Sequence, residues 1–332
     1  MTARAAPPCF PSHNFQTPAL SGNETAPSTP LNQWWCDINN EQGFLGFSYY
    51  VIRIPSVEVC MNSTYLLRDF TRMRTEFNAR YVRLYSWCDD DVNFFNDVIN
   101  AAYQAGIGVY ATVWFGFDGT DQWEGRRDNI IQTVKTNPLA PYVIRSIDVG
   151  SEPLFDGVLP ADQLADQVVF MQQNVHPFGI GVAISEMQYG YTSTNGSQAI
   201  LDVIDFVHAH NLPFFDWDAV NATFAWPSVK NSTDWFYQQT GGKKKIMFTQ
   251  TGWPSNAEVW LPNVPSASST VSDEETFARL LDSKCEFMKE TYGHGGVGWF
   301  WQIYSEESLS GWGWIQGSNG APKFSFKPRT AC

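Results

Sequence analysis

The chain is poor in basic residues: 21 Lys and Arg stand against 34 Asp and Glu, for a formal charge of −13. No basic stripe is available to neutralise phosphates, which argues against a nucleic-acid partner. The one basic run, Lys243–Lys245, reads as a solvated turn before a strand. No stretch of about 20 apolar residues occurs, so no membrane span is expected. No apolar signal region opens the chain either, and Met1 reads as the start of a recombinant chain whose signal peptide has been removed. Histidine is scarce, with five scattered residues (His13, His176, His208, His210, His294). His208 and His210 would point the same way on a strand but lack a third ligand, so no metal site is expected. No GxSxG elbow supports serine hydrolysis, and no GxGxxG turn follows the first apolar run. No cofactor is expected.

Aromatic residues, by contrast, are abundant: 14 Trp, 13 Tyr and 24 Phe. Flat apolar faces near strand ends suit a flat ligand with polar edges. Six cysteines (Cys9, Cys36, Cys60, Cys88, Cys285, Cys332) are an even number without CxxC spacing. They leave 15 formal pairings open. Sequons at Asn23, Asn62, Asn195, Asn221 and Asn231 accompany them, and the combination points to a secreted, oxidising setting, extracellular or in a cell wall.

Residues 1–42 are rich in Pro, Ser, Thr and Asn without periodicity, and read as an irregular extension pinned through Cys9 and Cys36. Beyond them, eight apolar or β-branched runs recur near 43–50, 79–87, 106–114, 143–151, 178–187, 203–212, 245–253 and 296–304. Helix-like segments fall between most of them, at 62–77, 92–105, 161–174 and 273–291. Eight such units predict a (β/α)₈ TIM barrel over 43–332, expected to be a monomer, and an open doubly wound sheet is the alternative. The stretch 213–230 exceeds an ordinary connection and predicts a small insertion forming a lip at the barrel mouth.

In such a barrel, function sits at the C-terminal strand ends. Those positions are Tyr49, Tyr85, Trp87, Trp114, Glu152, Glu186, His210, Gln250, Trp253, Trp301 and Gln302, with Ser151 beside Glu152. A rim of aromatics around one or two carboxylates points to carboxylate chemistry on a neutral polar substrate, for which glycoside hydrolysis is the obvious case. Glu152, between Gly150-Ser151 and Pro153, is placed for partial desolvation. It reads equally as an N-cap or salt-bridged glutamate at a βα turn. Gln250 alone reads as a hydrogen-bonding amide, since an amide is a very poor nucleophile.

A resemblance decides between these readings. TQTGWPS (249–255) resembles the TETGWPS-type nucleophile motif of glycoside hydrolase family 17, the β-1,3-glucanases and glucanosyltransferases of plants and fungi. SIDVGSEP (146–153) resembles that family's VGNE or VGSE acid/base motif, and ARYVRLYSWCDDD, GIGVYATVWFG and DFVHAHNLPFF resemble its second, third and sixth strands. Order and spacing hold from about residue 43 to 315. The resemblance implies a retaining, endo-acting β-1,3-glucan hydrolase with Glu152 as acid/base and position 250 as nucleophile, the two about 5–5.5 Å apart. It makes Tyr49, Tyr85, Trp114 and Trp253 candidate subsite walls.

The departures are equally specific. Gln250 stands where the family has Glu, Ser151 where Asn is usual, and His210 for the sixth-strand Asn. Leu212 replaces a His or Tyr, and Gln302 lies near a common eighth-strand Glu. Glu and Gln are nearly isosteric, so glucan binding is expected to survive while covalent attack is lost. An engineered knock-out and a natural glucan-binding protein both fit, and transglycosylation in place of hydrolysis is the alternative within the same chemistry.

Overall fold

The computed structural model describes residues 8–54, 59–85, 88, 93–117, 119–256, 260–317 and 319–332. After the short helix α1 (Leu31–Trp34), the parallel strand β1 (Gly43–Tyr49) opens a closed barrel. A small antiparallel pair, β2 (Ile52–Ile54) and β3 (Val59–Cys60), leads into α2 (Ser63–Glu76). The barrel continues through β4 (Tyr81–Leu84), α3 (Phe94–Ala105), β5 (Gly108–Val113), α4 (Gln122–Thr136), α5 (Ala140–Val143) and β6 (Ile144–Ser151). It goes on through α6 (Ala161–Val175), β7 (Gly181–Met187), α7 (Gln188–Ser193), α8 (Gln198–Val203), β8 (Val207–Asn211) and α9 (Trp226–Gln239). It ends with β9 (Ile246–Thr251), α10 (Val271–Ser283), α11 (Cys285–Thr291) and β10 (Gly298–Trp301). β10 pairs back with β1, so the eight-stranded sheet has no edge, as the TIM-barrel reading expects.

Alternation along the strands sorts side chains into two spaces. Outward residues such as Phe47, Val82, Val109, Ile147 and Phe248 join the main core beneath the helices. Inside the barrel, Leu45, Tyr81, Tyr110, Met247 and Phe300 form a smaller apolar layer. Two residues further along β4, β5 and β9 come Arg83, Thr112 and Thr249, all buried, so the interior turns polar toward the mouth.

Below that layer the floor is plugged. Glu41 accepts hydrogen bonds from the hydroxyls of Tyr81 and Tyr110 and pairs with Arg145 at 2.7 Å. The extension closes over this end through Phe10 stacked on Trp34, whose indole N–H donates to the Tyr142 carbonyl. The three disulfides are Cys9–Cys36, Cys60–Cys88 and Cys285–Cys332, each joining cysteines adjacent in sequence order.

Helices α4 and α9, whose apolar positions are interrupted by polar ones, complete the alternation of strand and helix. Two differences from the periodicity are informative. The segment expected as one helix at 273–291 is broken at Lys284 into α10 and α11. The expected lip is shorter than 213–230: α9 starts at Trp226, where Pro227 sits favourably in its first turn, so the end of that stretch from Trp226 onward is ordinary barrel helix.

Candidate active site

Glu152 follows β6 through a β-bulge. Across the β6–β7 pair, Asp148 faces Ala183 and Ser151 faces Ser185, so β6 carries one extra residue in between. Gly150 lies there with φ 101°, and a side chain on it would meet Pro153 at 2.8 Å. Glu152 itself has φ 58°, and its N–H donates to the Ser185 carbonyl at 2.7 Å. β9 has the matching device. Phe248 faces Ala209 on β8 and Trp299 on β10, whereas Gln250 faces His210 and Thr251 faces Trp301. One extra residue at Thr249 thus changes the strand's phase, and Gln250 shares the inward face with Thr249 rather than alternating away from it.

The inward face carries two tiers of carboxylate and imidazole. In the lower tier, fully buried Asp148 is hydrogen-bonded to His208 Nδ1, and Arg83 Nε lies 3.9 Å from its other oxygen. In the upper tier, Glu152 Oε1 is 2.7 Å from His210 Nδ1. Arg83 Nη2 joins the tiers by donating to Ser151 Oγ at 3.1 Å. Burial raises the Glu152 pKa, but the hydrogen bond and charge of His210 and the charge of Arg83 outweigh it and hold the carboxyl below its ordinary 4.5. His210 is pushed down, chiefly by burial, with Arg83 adding to it. Among the described residues, His210 Nε2, Gln250 Nε2, Arg83 Nη1 and Gln302 Oε1 are buried without a hydrogen-bond partner. Such an array of unmet donors and acceptors at a strand-end mouth suits a ligand dense in hydroxyls.

Glu186 does a different job from the one expected. It is fully buried, and accepts hydrogen bonds from the N–H groups of Leu154 (2.7 Å), Phe155 (3.1 Å) and Met187 (2.8 Å). It therefore braces the turn that carries Glu152 instead of facing a ligand. Burial pushes its pKa up to about 8, with the Glu152 charge adding and the three N–H donors opposing.

The aromatic expectations divide. Tyr85 and Trp114 lie partly exposed in a file of rings, Tyr50–Tyr85–Trp114–Phe117, with successive centroids 6.0, 6.0 and 5.1 Å apart. Tyr49, Trp253 and Trp301 do not line the mouth. Tyr49 is buried with its hydroxyl on Asp69 at 2.7 Å, Trp253 donates to the Ser268 carbonyl, and Trp301 packs on Trp314. The reason is strand phase: Tyr49 shares the outward face of Phe47, and Trp301 that of Trp299. Trp87 lies outside the described residues. Rings that strand-end reading missed stand beyond the strands, including Phe155 in a turn, paired with Tyr189 on α7 at 6.1 Å, and Trp217 in a turn. Arg83 was also missed, although it sits two residues from Tyr85 on one strand face. Among the described residues no group of three or more His, Cys, Asp or Glu is placed to hold a metal ion, and no helix is long and apolar enough to cross a membrane.

The fold and motifs have known counterparts. The probable family 17 glucosidase SCW10 of Saccharomyces cerevisiae is 25% identical over 202 residues, 47% of this chain and 52% of that protein, so the match spans about half of that relative. A family 17 β-1,3-glucanosyltransferase from Rhizomucor miehei superposes with a TM-score of 0.65 at 19% identity, covering 86% of this chain and 98% of the other. An active-site mutant of that enzyme, in complex with laminaritriose, gives 0.64 at 20% identity over the same shares. CJP38, a β-1,3-glucanase and allergen of Cryptomeria japonica pollen, gives 0.58 at 15% identity, covering 86% and 99%. At these identities the superpositions show a shared fold. The model of the BtgE/BtgC glycoside hydrolase domain matches residues 46–294, and the chain belongs to that family, a barrel akin to the family 17 glycosidases.

Proposed function

We propose that the barrel mouth binds β-1,3-glucan at a site of the retaining type in which Glu152 is the acid/base and Gln250 occupies the nucleophile's position. The observation that carries this reading is the upper tier. An intact Glu152 is bonded to His210, and His210 is the register partner of Gln250. A retaining site needs a carboxylate at the second position to attack C1. Gln250 lacks the charge to do so, and the chain as it stands is a glucan binder in which the covalent step is closed.

Restoring the carboxylate tests this. Purified Gln250→Glu protein should cleave laminarin, while the unsubstituted chain binds laminarin oligosaccharides in calorimetry without forming a glycosyl-enzyme. A Gln250→Glu protein that leaves laminarin and its oligosaccharides untouched would sink the proposal. Transfer to a sugar acceptor is the second reading. The exposed rings Phe155, Tyr189 and Trp217 favour it, because they extend apolar surface beyond the pair. Product sizes from the restored protein at high substrate concentration decide, since transfer yields products longer than the substrate.

The disulfides and the likeness to a fungal family 17 glucosidase support a secreted or cell-wall setting for this chain.

A further inference from the structure

We propose that Gln250 and His210 form a seat for inorganic phosphate, which attacks the sugar in place of the missing carboxylate, so that the site phosphorolyses β-1,3-glucan. The inference rests on the glucan reading above and adds a co-reactant to it.

Compared with a retaining site, position 250 is short of one anion. A retaining site would carry negative charge at position 250, and here that position holds a neutral amide whose Nε2 is buried without a partner among the described residues. Beside it on the register partner, His210 Nε2 is buried and unmet in the same way. Arg83 is wholly buried with Nη1 unmet, and its charge acts on both Glu152 and His210. Of the neighbouring carboxylates, Asp148 is bonded through Oδ1 to His208 and turns Oδ2 toward Arg83 Nε at 3.9 Å, and Glu186 is held by three backbone N–H groups. Asp156 lies in the turn after Glu152, its N–H donating to the Glu152 carbonyl at 2.9 Å. Among the described residues none of these carboxylates is the strand-register partner of Gln250; Asp148 Oδ2 stands 3.9 Å from Arg83 Nε and Glu152 is bonded to His210 Nδ1, which leaves Gln250 Nε2 and His210 Nε2 as the unmet atoms there.

The Glu152–His210 pair couples the anion to the proton that the reaction needs. With no proton on either carboxylate or added to the ring, Nδ1–H donates to Glu152 and Nε2 is an acceptor. With one proton added, Nε2 carries hydrogen whichever partner holds the extra proton: the carboxylic acid donates to Nδ1, or the imidazolium donates from both nitrogens. An anion on Nε2–H therefore favours the protonated pair, and its charge raises the Glu152 pKa toward that of a working general acid.

The step balances. A phosphate oxygen of HPO₄²⁻ forms a bond to C1 from the face opposite the leaving oxygen. The C1–O bond breaks, its electron pair stays on that oxygen, and Glu152 supplies the proton. The phosphate's own proton then returns to Glu152, and an α-configured sugar 1-phosphate leaves together with the shortened glucan.

Laminaritetraose incubated with the full chain, with and without inorganic phosphate, is followed by ³¹P NMR, with phosphate-free calorimetry of the same sugar alongside. The expected result is an α-sugar 1-phosphate signal that grows with phosphate and is lost in Glu152→Gln. In Gln250→Glu the introduced carboxylate repels phosphate, so the signal is lost and hydrolysis appears instead. Tetraose that binds but yields no sugar phosphate at any phosphate concentration overturns this inference and leaves the binding reading standing. A signal undiminished in Gln250→Glu overturns the seat. Tetraose that does not bind overturns both readings.

Discussion

At Glu152 the backbone sits at φ 58°, a left-handed conformation that costs a non-glycine residue about 1–3 kcal/mol. The turn is held there by Glu186, which collects three backbone N–H groups from outside the mouth. Glu186→Ala should leave those donors buried and unmet, lowering stability by about 2–3 kcal/mol in chemical denaturation. Weakened laminarin binding should accompany that loss, even though Glu186 itself faces no ligand. The charge state of the site depends on its neighbours in the same direct way. Glu152 is held below its ordinary pKa of 4.5 by His210 and Arg83 against the effect of burial, with no negative group at position 250 to oppose them. A carboxylate introduced by Gln250→Glu disfavours a second charge nearby, so the Glu152 pKa should rise. Carboxyl ¹³C NMR titration of the two proteins checks this, and an unmoved Glu152 resonance would mean that the two side chains do not face each other.

Both bulges do for the strands what no periodic pattern announces. β6 and β9 each insert one residue, at Gly150 and Thr249, just before the positions that matter, and so re-aim Glu152 and Gln250. Gly150→Ala should be poorly tolerated. Its φ of 101° disfavours any side chain, and the added carbon would lie 2.8 Å from Pro153 and 3.0 Å from Phe115. The expected loss is about 2–4 kcal/mol, read from the denaturation midpoint, with glucan binding lost first as Glu152 shifts. The eight strands were legible in the sequence because each apolar run is bounded by polar or turn residues, and Glu152 and Gln250 stood out as candidates because the residues flanking them resemble the family's motifs. The phase of the aromatics was not legible. Tyr49 and Trp301 fall at strand ends as a rim would, yet strand phase turns them into the outer core. Glu186 likewise sits at a strand end, and two of its three hydrogen bonds come from a turn 31 and 32 residues earlier, a contact that only the closed barrel makes.

Across the whole molecule, acidity and burial act together on stability. Glu186 and Glu274 are both fully buried, and burial pushes each up to about 8; for Glu274, Lys323 at 2.7 Å opposes the shift. A carboxyl whose folded pKa exceeds its unfolded value of 4.5 binds more protons folded than unfolded between those limits. Stability should therefore be greatest near pH 4.5 and fall as pH rises toward 8, and a net charge of −13 at pH 7 adds repulsion of the same sign. Denaturation midpoints across that range should show this slope, and Glu186→Gln should flatten it. A midpoint that climbs with pH would mean that both carboxylates are ionised and well paired in the fold. The opposite end of the barrel makes a separate contribution. The extension lays Phe10, Trp34 and Trp35 over the floor, and Cys9–Cys36 closes a loop of 27 residues' separation around them. Opening that loop with Cys9→Ser and Cys36→Ser together should cost about 3–4 kcal/mol by the chain-entropy account. Because the Glu41–Arg145 plug and the apolar interior layer stand between the floor and the mouth, laminarin binding measured below the unfolding transition should be unchanged. A loss of binding in that folded double variant would show that the floor and the mouth are coupled through the barrel interior.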